Sequence, residues 1–100
     1  MNQIIVITGT SKGIGQTLAS YYLGNGDIVI GCSRNEASII HKNYRHFSLE
    51  VNDEKAVIKM IRAVKKEFGK IDILLNNAGM ASMNRILTTS VSSVEKIFAT

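Results

Sequence analysis

Residues 8–15 read Thr-Gly-Thr-Ser-Lys-Gly-Ile-Gly and follow directly on the apolar run Ile4-Ile5-Val6-Ile7. A glycine-rich turn that leaves a buried strand and opens a helix is a cradle for a pyrophosphate. The first amides of a helix have no intrahelical acceptor, and the helix dipole places partial positive charge beside them. Gly9 permits the sharp turn off the strand, Gly13 removes a Cβ where a phosphate must approach, and Gly15 lets the first helical turn lie against the strand. Glycine-rich loops also occur as plain turns, so this motif gains weight only with a second one.

Residues 72–79 supply it: Asp72-Ile73-Leu74-Leu75-Asn76-Asn77-Ala78-Gly79, an apolar strand that ends in N-N-A-G. With T-G-x-x-x-G-x-G near the start and D-x-L-x-N-N-A-G after a fourth strand, the chain resembles the short-chain dehydrogenase/reductase family along its whole length. The glycine spacing differs from G-x-G-x-x-G, and the loop is no P-loop, because Ile14 rather than Lys follows Gly13. The resemblance implies an oxidoreductase that interconverts a carbonyl and a secondary alcohol, passing hydride to or from a nicotinamide dinucleotide. It implies cofactor contacts from Gly9, Thr10, Ser11, Lys12, Gly13, Ile14 and Gly15. It also implies sheet stabilisation and a ribose contact chiefly through Asn77, with Ala78 beside it and Gly79 allowing close passage. A strand-to-loop turn held by Asn side chains is the plainer account of the same residues, and one turn can do both.

Cofactor preference turns on the end of the second strand, Cys32-Ser33-Arg34-Asn35. In dinucleotide folds an acidic residue there grips the adenosine ribose hydroxyls. Here Ser33 occupies the acidic position and Arg34 follows, a guanidinium suited to a 2′-phosphate through two parallel hydrogen bonds. Lys12 lies on the same side of the pocket in family members, and its pairing with Arg34 resembles the branch that prefers NADP(H) over NAD(H). The competing account makes Arg34 a surface arginine and gives the ribose to Glu36. Glu50-Val51, after the third strand, matches the family position that contacts adenine. Glu50 is one carbon longer than the Asp common there, so the Val51 amide is the surer contact.

Alternating strand and helix patterns must position these groups. A continuous apolar strand, Ile4 to Thr8, suits a parallel sheet covered on both faces. A helix runs from the glycine loop to about Leu23, with Ile14, Leu18 and Tyr22 as its inward stripe, and Gly24-Asn25-Gly26 stops it. The second strand is Ile28 to Cys32, followed by a polar stretch with one helical turn around residues 37–41. A third strand spans about Arg45 to Val51. Asn52 or Asp53 caps the next helix, which buries Val57, Ile61, Val64 and Phe68 and ends at Gly69. The fourth strand is Ile71 to Asn76. Ser92-x-x-Glu95 then forms a capping box for a fourth helix with Val94, Ile97 and Phe98 on its apolar side. The pattern predicts an α/β, Rossmann-type doubly wound parallel sheet with strand order 3-2-1-4, truncated before the later strands. Residues 1–100 then form the N-terminal part of a single dinucleotide-binding domain, and the fourth strand is left as an open apolar edge, a template for aggregation.

Composition narrows the classes. Hydrophobic residues make up 45% and charged residues 20%, which fits a globular chain and argues against disorder. No apolar stretch approaches a transmembrane helix, and Met1-Asn2-Gln3 has no basic export region, so the expected location is cytoplasmic, without a membrane partner. The net charge of +4 is scattered, with Lys65-Lys66 as the only adjacent basic pair, which argues against nucleic acid. Cys32 is the lone cysteine and reads as a small buried apolar residue; no metal site is suggested. His41 and His46 have no partner at metal or catalytic spacing and read as exposed. Tyr21, Tyr22 and Tyr44 lack a catalytic setting.

The family's chemistry rests on a serine, a Tyr-x-x-x-Lys and a helix-four asparagine. The tyrosine is the general acid or base, its pKa lowered by the lysine. The three tyrosines are followed at the lysine spacing by Asn25, Gly26 and Ser48, so no catalytic residue is assigned within the chain. The resemblance implies a small carbonyl or alcohol as substrate and a homo-oligomer for the complete enzyme. A non-catalytic dinucleotide-binding module, or a relic of one, is the alternative from a different class.

Overall fold

The computed structural model describes residues 2–10, 13–50 and 52–77, together with the backbone of 96–99. Within these, β1 (Ile4–Thr8), β2 (Ile28–Ser33), β3 (Tyr44–Ser48), β4 (Ile73–Asn76) and β5 (Lys96–Ala99) form one parallel sheet in the order β3-β2-β1-β4-β5. The expected order 3-2-1-4 is present, with α1 (Gly13–Gly24) and α2 (Glu54–Phe68) as its helices.

Every residue of β1 is buried because each face of the sheet has its own helix. Ile4, Val6 and Leu74 pack with Val57, Ile61 and Val64 of α2, whereas Ile5, Ile7 and Leu75 join Ala19 and Leu23 of α1. Successive side chains of a strand point to opposite faces, so a strand covered on both sides must be apolar throughout. The β4 segment starts two residues later than its apolar run suggests. Before it, Asp72 accepts from the Ile4 amide at 2.7 Å, donates its own amide to the Ile4 carbonyl at 2.8 Å, and pairs with Lys70 at 3.2 Å.

Asp53 caps α2, accepting from the Ala56 amide at 3.2 Å, and Gly69 closes it in the left-handed conformation with φ 82°. Glu54 in the first turn and Lys65 and Lys66 in the last complement the helix dipole.

Several expectations need correction. In α1 the buried residues are Gly15, Ala19 and Leu23, one position on from the expected stripe, and Ile14 is 66% exposed; Leu18 and Tyr22 are partly buried. Close approach sets the rotation: the residue facing the Gly9 carbonyl must lack a Cβ, and Gly15 does. Residues 36–41 form no helical turn, and β3 is shorter than expected, Tyr44–Ser48. The expected fourth helix falls mostly outside the described residues, but 96–99 is a strand, paired with β4 from Ile73↔Lys96 to Asn76↔Ala99. The unsatisfied backbone groups along β4 outweigh a local capping pattern, and Ile97 and Phe98 are good strand formers. The edge expected to be open is therefore covered by this chain's own β5.

Candidate dinucleotide site

The glycine turn sits where the carboxyl ends of β1, β2 and β4 meet. Gly9 turns the chain with φ 75° and donates its amide to the Cys32 carbonyl at 2.8 Å; the Thr10 amide reaches the same oxygen at 3.4 Å. From the other side, Asn77 Nδ2 donates to the Gly9 carbonyl at 3.1 Å. Thr8 and Asn76, the last residues of their strands, meet at 3.3 Å. A Cβ on Gly15 would run into the Gly9 carbonyl and stand 2.7 Å from Asn77 Nδ2. The turn is thus clamped from both flanking strands.

Gly13 differs. It has φ 66°, and a Cβ placed on it would meet nothing within 4 Å. Its glycine serves the backbone conformation and leaves open space at the start of α1. No acidic residue lies in the first turn of that helix, so its amides face no competing carboxylate of their own element. Open space, a helix N-terminus and no local negative charge suit a phosphate.

At the end of β2, Ser33 is buried and its hydroxyl donates to the Asn35 carbonyl at 3.1 Å. Arg34 extends to the surface, its side chain 76% exposed, with Nε 3.9 Å from the Glu50 carboxylate, itself 50% exposed. Such a solvated pair is weak, and it brings together two residues expected at the adenosine end. Glu36 is exposed. Ser11, Lys12, Val51, Ala78 and Gly79 lie outside the described residues.

One expectation about the remaining residues changes: His46, expected exposed, is half-buried. Tyr44 and His46 are parts of a polar network beneath the turn. Thr10 Oγ1 and the Tyr44 hydroxyl are 2.7 Å apart, Tyr44 reaches His46 Nδ1 at 2.7 Å, and His46 Nε2 reaches the Asn35 carbonyl at 2.9 Å. Thr10 is buried, so its hydroxyl serves this network. Burial pushes the Tyr44 phenol above its ordinary value, partly offset by the Thr10 hydrogen bond. The available signal was Gly31 in the middle of an apolar strand, where glycine marks a close approach. A Cβ there would strike the Tyr44 hydroxyl and Thr10 Oγ1. By contrast, His41 is exposed and Cys32 buried, as expected; burial raises the Cys32 thiol to about 11. Among the described residues no group of His, Cys, Asp and Glu is arranged for a metal ion, and no helix is long and apolar enough to cross a membrane.

Comparison with known proteins agrees with this geometry. Residues 3–100 match the family model for short chain dehydrogenases, and the chain belongs to that family. It is 32% identical to the meso-2,3-butanediol dehydrogenase of Serratia marcescens, in an alignment that covers 96% of this chain and 41% of that protein. Among solved structures, ElxO with NADP bound superposes with a TM-score of 0.70 at 35% identity, over 80% of this chain and 36% of the other. A Leptospira borgpetersenii short-chain dehydrogenase with bound NAD+ shares the fold, with a TM-score of 0.77 at 18% identity, over 91% of this chain and 45% of the other. The chain spans less than half the length of each of these relatives.

Proposed function

We propose that this chain is the cofactor-binding part of an NADP(H)-dependent short-chain oxidoreductase that interconverts a carbonyl and a secondary alcohol. The observation that carries this reading is the clamped turn at Gly9 and Gly15 with open, left-handed Gly13 at the head of α1. The amides of Gly13, Ile14 and Gly15 hold the pyrophosphate, joined by Ser11 and Lys12. Gly9 and Thr10 shape the turn, their amides committed to Cys32. Asn77, Ala78 and Gly79 line the nicotinamide-ribose side, with Asn77 also bracing Gly9. Glu50 and Val51 flank the adenine. Bound there, the dinucleotide supplies or accepts the hydride.

The preference for NADP(H) over NAD(H) rests on Ser33 and Arg34. Relatives carry either dinucleotide, so the chain's own residues decide. A buried serine that donates to Asn35 brings no negative charge to the ribose, and an exposed guanidinium beside it offers a phosphate a partner. Glu50, at 3.9 Å, competes only through a solvated contact. The residues that exchange a proton with substrate are not among these 100 in this reading, since no Tyr-x-x-x-Lys occurs.

Fluorescence titration with NADPH, NADH and ATP tests the reading. Saturable binding of NADPH at least about tenfold tighter than NADH, with ATP weaker still, is expected, a gap of about 1.4 kcal/mol. Equal affinities for NADPH and NADH would remove the assigned preference. Absence of saturable binding would remove the site.

A further inference from the structure

The network under the glycine turn has a direction. The Asn35 carbonyl accepts only, so His46 Nε2, 2.9 Å away, carries the hydrogen. In a neutral imidazole Nδ1 is then an acceptor, and the Tyr44 hydroxyl at 2.7 Å must donate to it. Tyr44 therefore accepts from the Thr10 hydroxyl, also at 2.7 Å. The Ser33 and Ser48 hydroxyls also donate to the Asn35 carbonyl, at 3.1 and 3.3 Å, and Ser33 Oγ stands 3.3 Å from Nε2. Each hydrogen in the series Thr10, Tyr44, His46 has one acceptor, and the series ends on a carbonyl one residue past Arg34.

This relay joins the two halves of the proposed dinucleotide site, and its role in binding rests on that proposed function. Thr10 belongs to the turn that faces the pyrophosphate, and Asn35 belongs to the loop that carries Arg34. We propose that Tyr44 and His46 are positioning residues of the dinucleotide site, holding the glycine turn in register with the Arg34 loop through a relay that is satisfied only while His46 is neutral.

Protonating His46 makes Nδ1 a donor. The Tyr44 hydrogen must then turn to Thr10 Oγ1, and the Thr10 hydrogen loses its acceptor at a fully buried residue. Gly31 leaves no slack, because the Tyr44 hydroxyl and Thr10 Oγ1 already fill the space where its Cβ would stand. The surroundings offer the imidazolium little compensation. On the same face of β3 lie Tyr44 and Ser48, while β2 and its loop bring Ser33 and Asn35. Packed on that face, α1 has no charged residue at all. Cys32 is buried, and Arg34, Glu36, Lys42 and Glu50 of the adjoining loops are exposed. Arg45 is paired with Glu67 of α2.

The test is the NADPH dissociation constant of the whole protein and of its Tyr44→Phe and His46→Asn variants, from about pH 8 to about pH 5.5. Melting curves monitor folding throughout. At pH 8, Tyr44→Phe keeps the ring packing but loses the relay, and is expected to weaken NADPH about threefold to tenfold. Wild-type affinity is expected to fall by a similar factor toward low pH, whereas His46→Asn shows a flatter profile. A nitrogen-15 spectrum of the wild-type imidazole supplies a readout that needs no variant, and it is expected to show the Nε2–H tautomer at pH 8. An Nδ1–H tautomer, or identical constants and pH profiles for all three proteins, would overturn the proposal while leaving the cofactor site standing. A wild type that binds no NADPH at any pH would overturn the site and the relay's role together.

Discussion

Asn77 donates to the carbonyl of Gly9 at 3.1 Å, tying the loop after β4 to the turn after β1 across 68 positions of sequence. This bond joins the carboxyl ends of the adjacent strands β1 and β4, the end of the sheet at which parallel α/β folds bind their ligands. The same carbonyl is what Gly15 faces. One backbone oxygen therefore sets both the shape of the turn and the seating of α1.

Replacing Gly15 by Ala should be costly. The new methyl group meets the Gly9 backbone, which cannot rotate away as a side chain would. A loss of about 1–3 kcal/mol in urea-induced unfolding is expected, together with loss of NADPH binding. Asn77→Ala should cost about 1–2 kcal/mol by removing a hydrogen bond to that carbonyl. Combining the two should not rescue Gly15→Ala, because the backbone obstacle remains.

Arg34 and Glu50 should act in opposite senses on cofactor choice. Arg34→Ala is expected to weaken NADPH by about tenfold or more and NADH little, since only NADPH has the 2′-phosphate to lose. Glu50→Gln removes a carboxylate 3.9 Å from the guanidinium and should strengthen NADPH modestly, by about twofold. Paired titrations of both nucleotides would read the two effects. Equal weakening of NADPH and NADH by Arg34→Ala would contradict the assignment.

Alkaline pH should destabilise the fold through Cys32. Its thiol is pushed from 9.0 to about 11 by burial, so the folded state holds a proton that the unfolded chain releases. That contribution is fully present below about pH 9 and is lost as pH rises through about 11, a change of about 2–3 kcal/mol. Tyr44 is raised in the same direction and adds to the decline. Unfolding curves across this range should show the fall, and Cys32→Ala should flatten part of it. Thiol reagents should label Cys32 only on unfolding, as its side chain is fully buried.

Asp53→Ala removes the side chain that accepts from the Ala56 amide and should cost about 1 kcal/mol. Asp53→Asn keeps an acceptor and should cost less. Urea-induced unfolding curves of the two variants read the difference.

Local chemistry made much of this fold legible from sequence. The glycine spacing, the caps at Asp53 and Gly69, the burial of Cys32 and the order of the first four strands depend on near neighbours or on simple periodicity. The rotation of α1 was not legible, because Ile14, Leu18, Tyr22 and Gly15, Ala19, Leu23 both recur every four residues. Only the contact with Gly9 chooses between them. The Thr10–Tyr44–His46 series was hidden for a related reason. It depends on Gly31 pairing with His46 across β2 and β3, a register that composition does not reveal. The strand at 96–99 depends on the backbone groups of β4, which a helical capping pattern in sequence cannot register.

The most direct test of the dinucleotide site is to map NADP+ binding onto backbone amides in a proton–nitrogen-15 correlation spectrum. Saturable shifts are expected to concentrate at Gly13, Ile14 and Gly15, with further shifts at Arg34 and Asn77 and little change along Glu54–Phe68 of α2. Shifts centred on α2, or a spectrum that does not respond to the dinucleotide, would contradict the site.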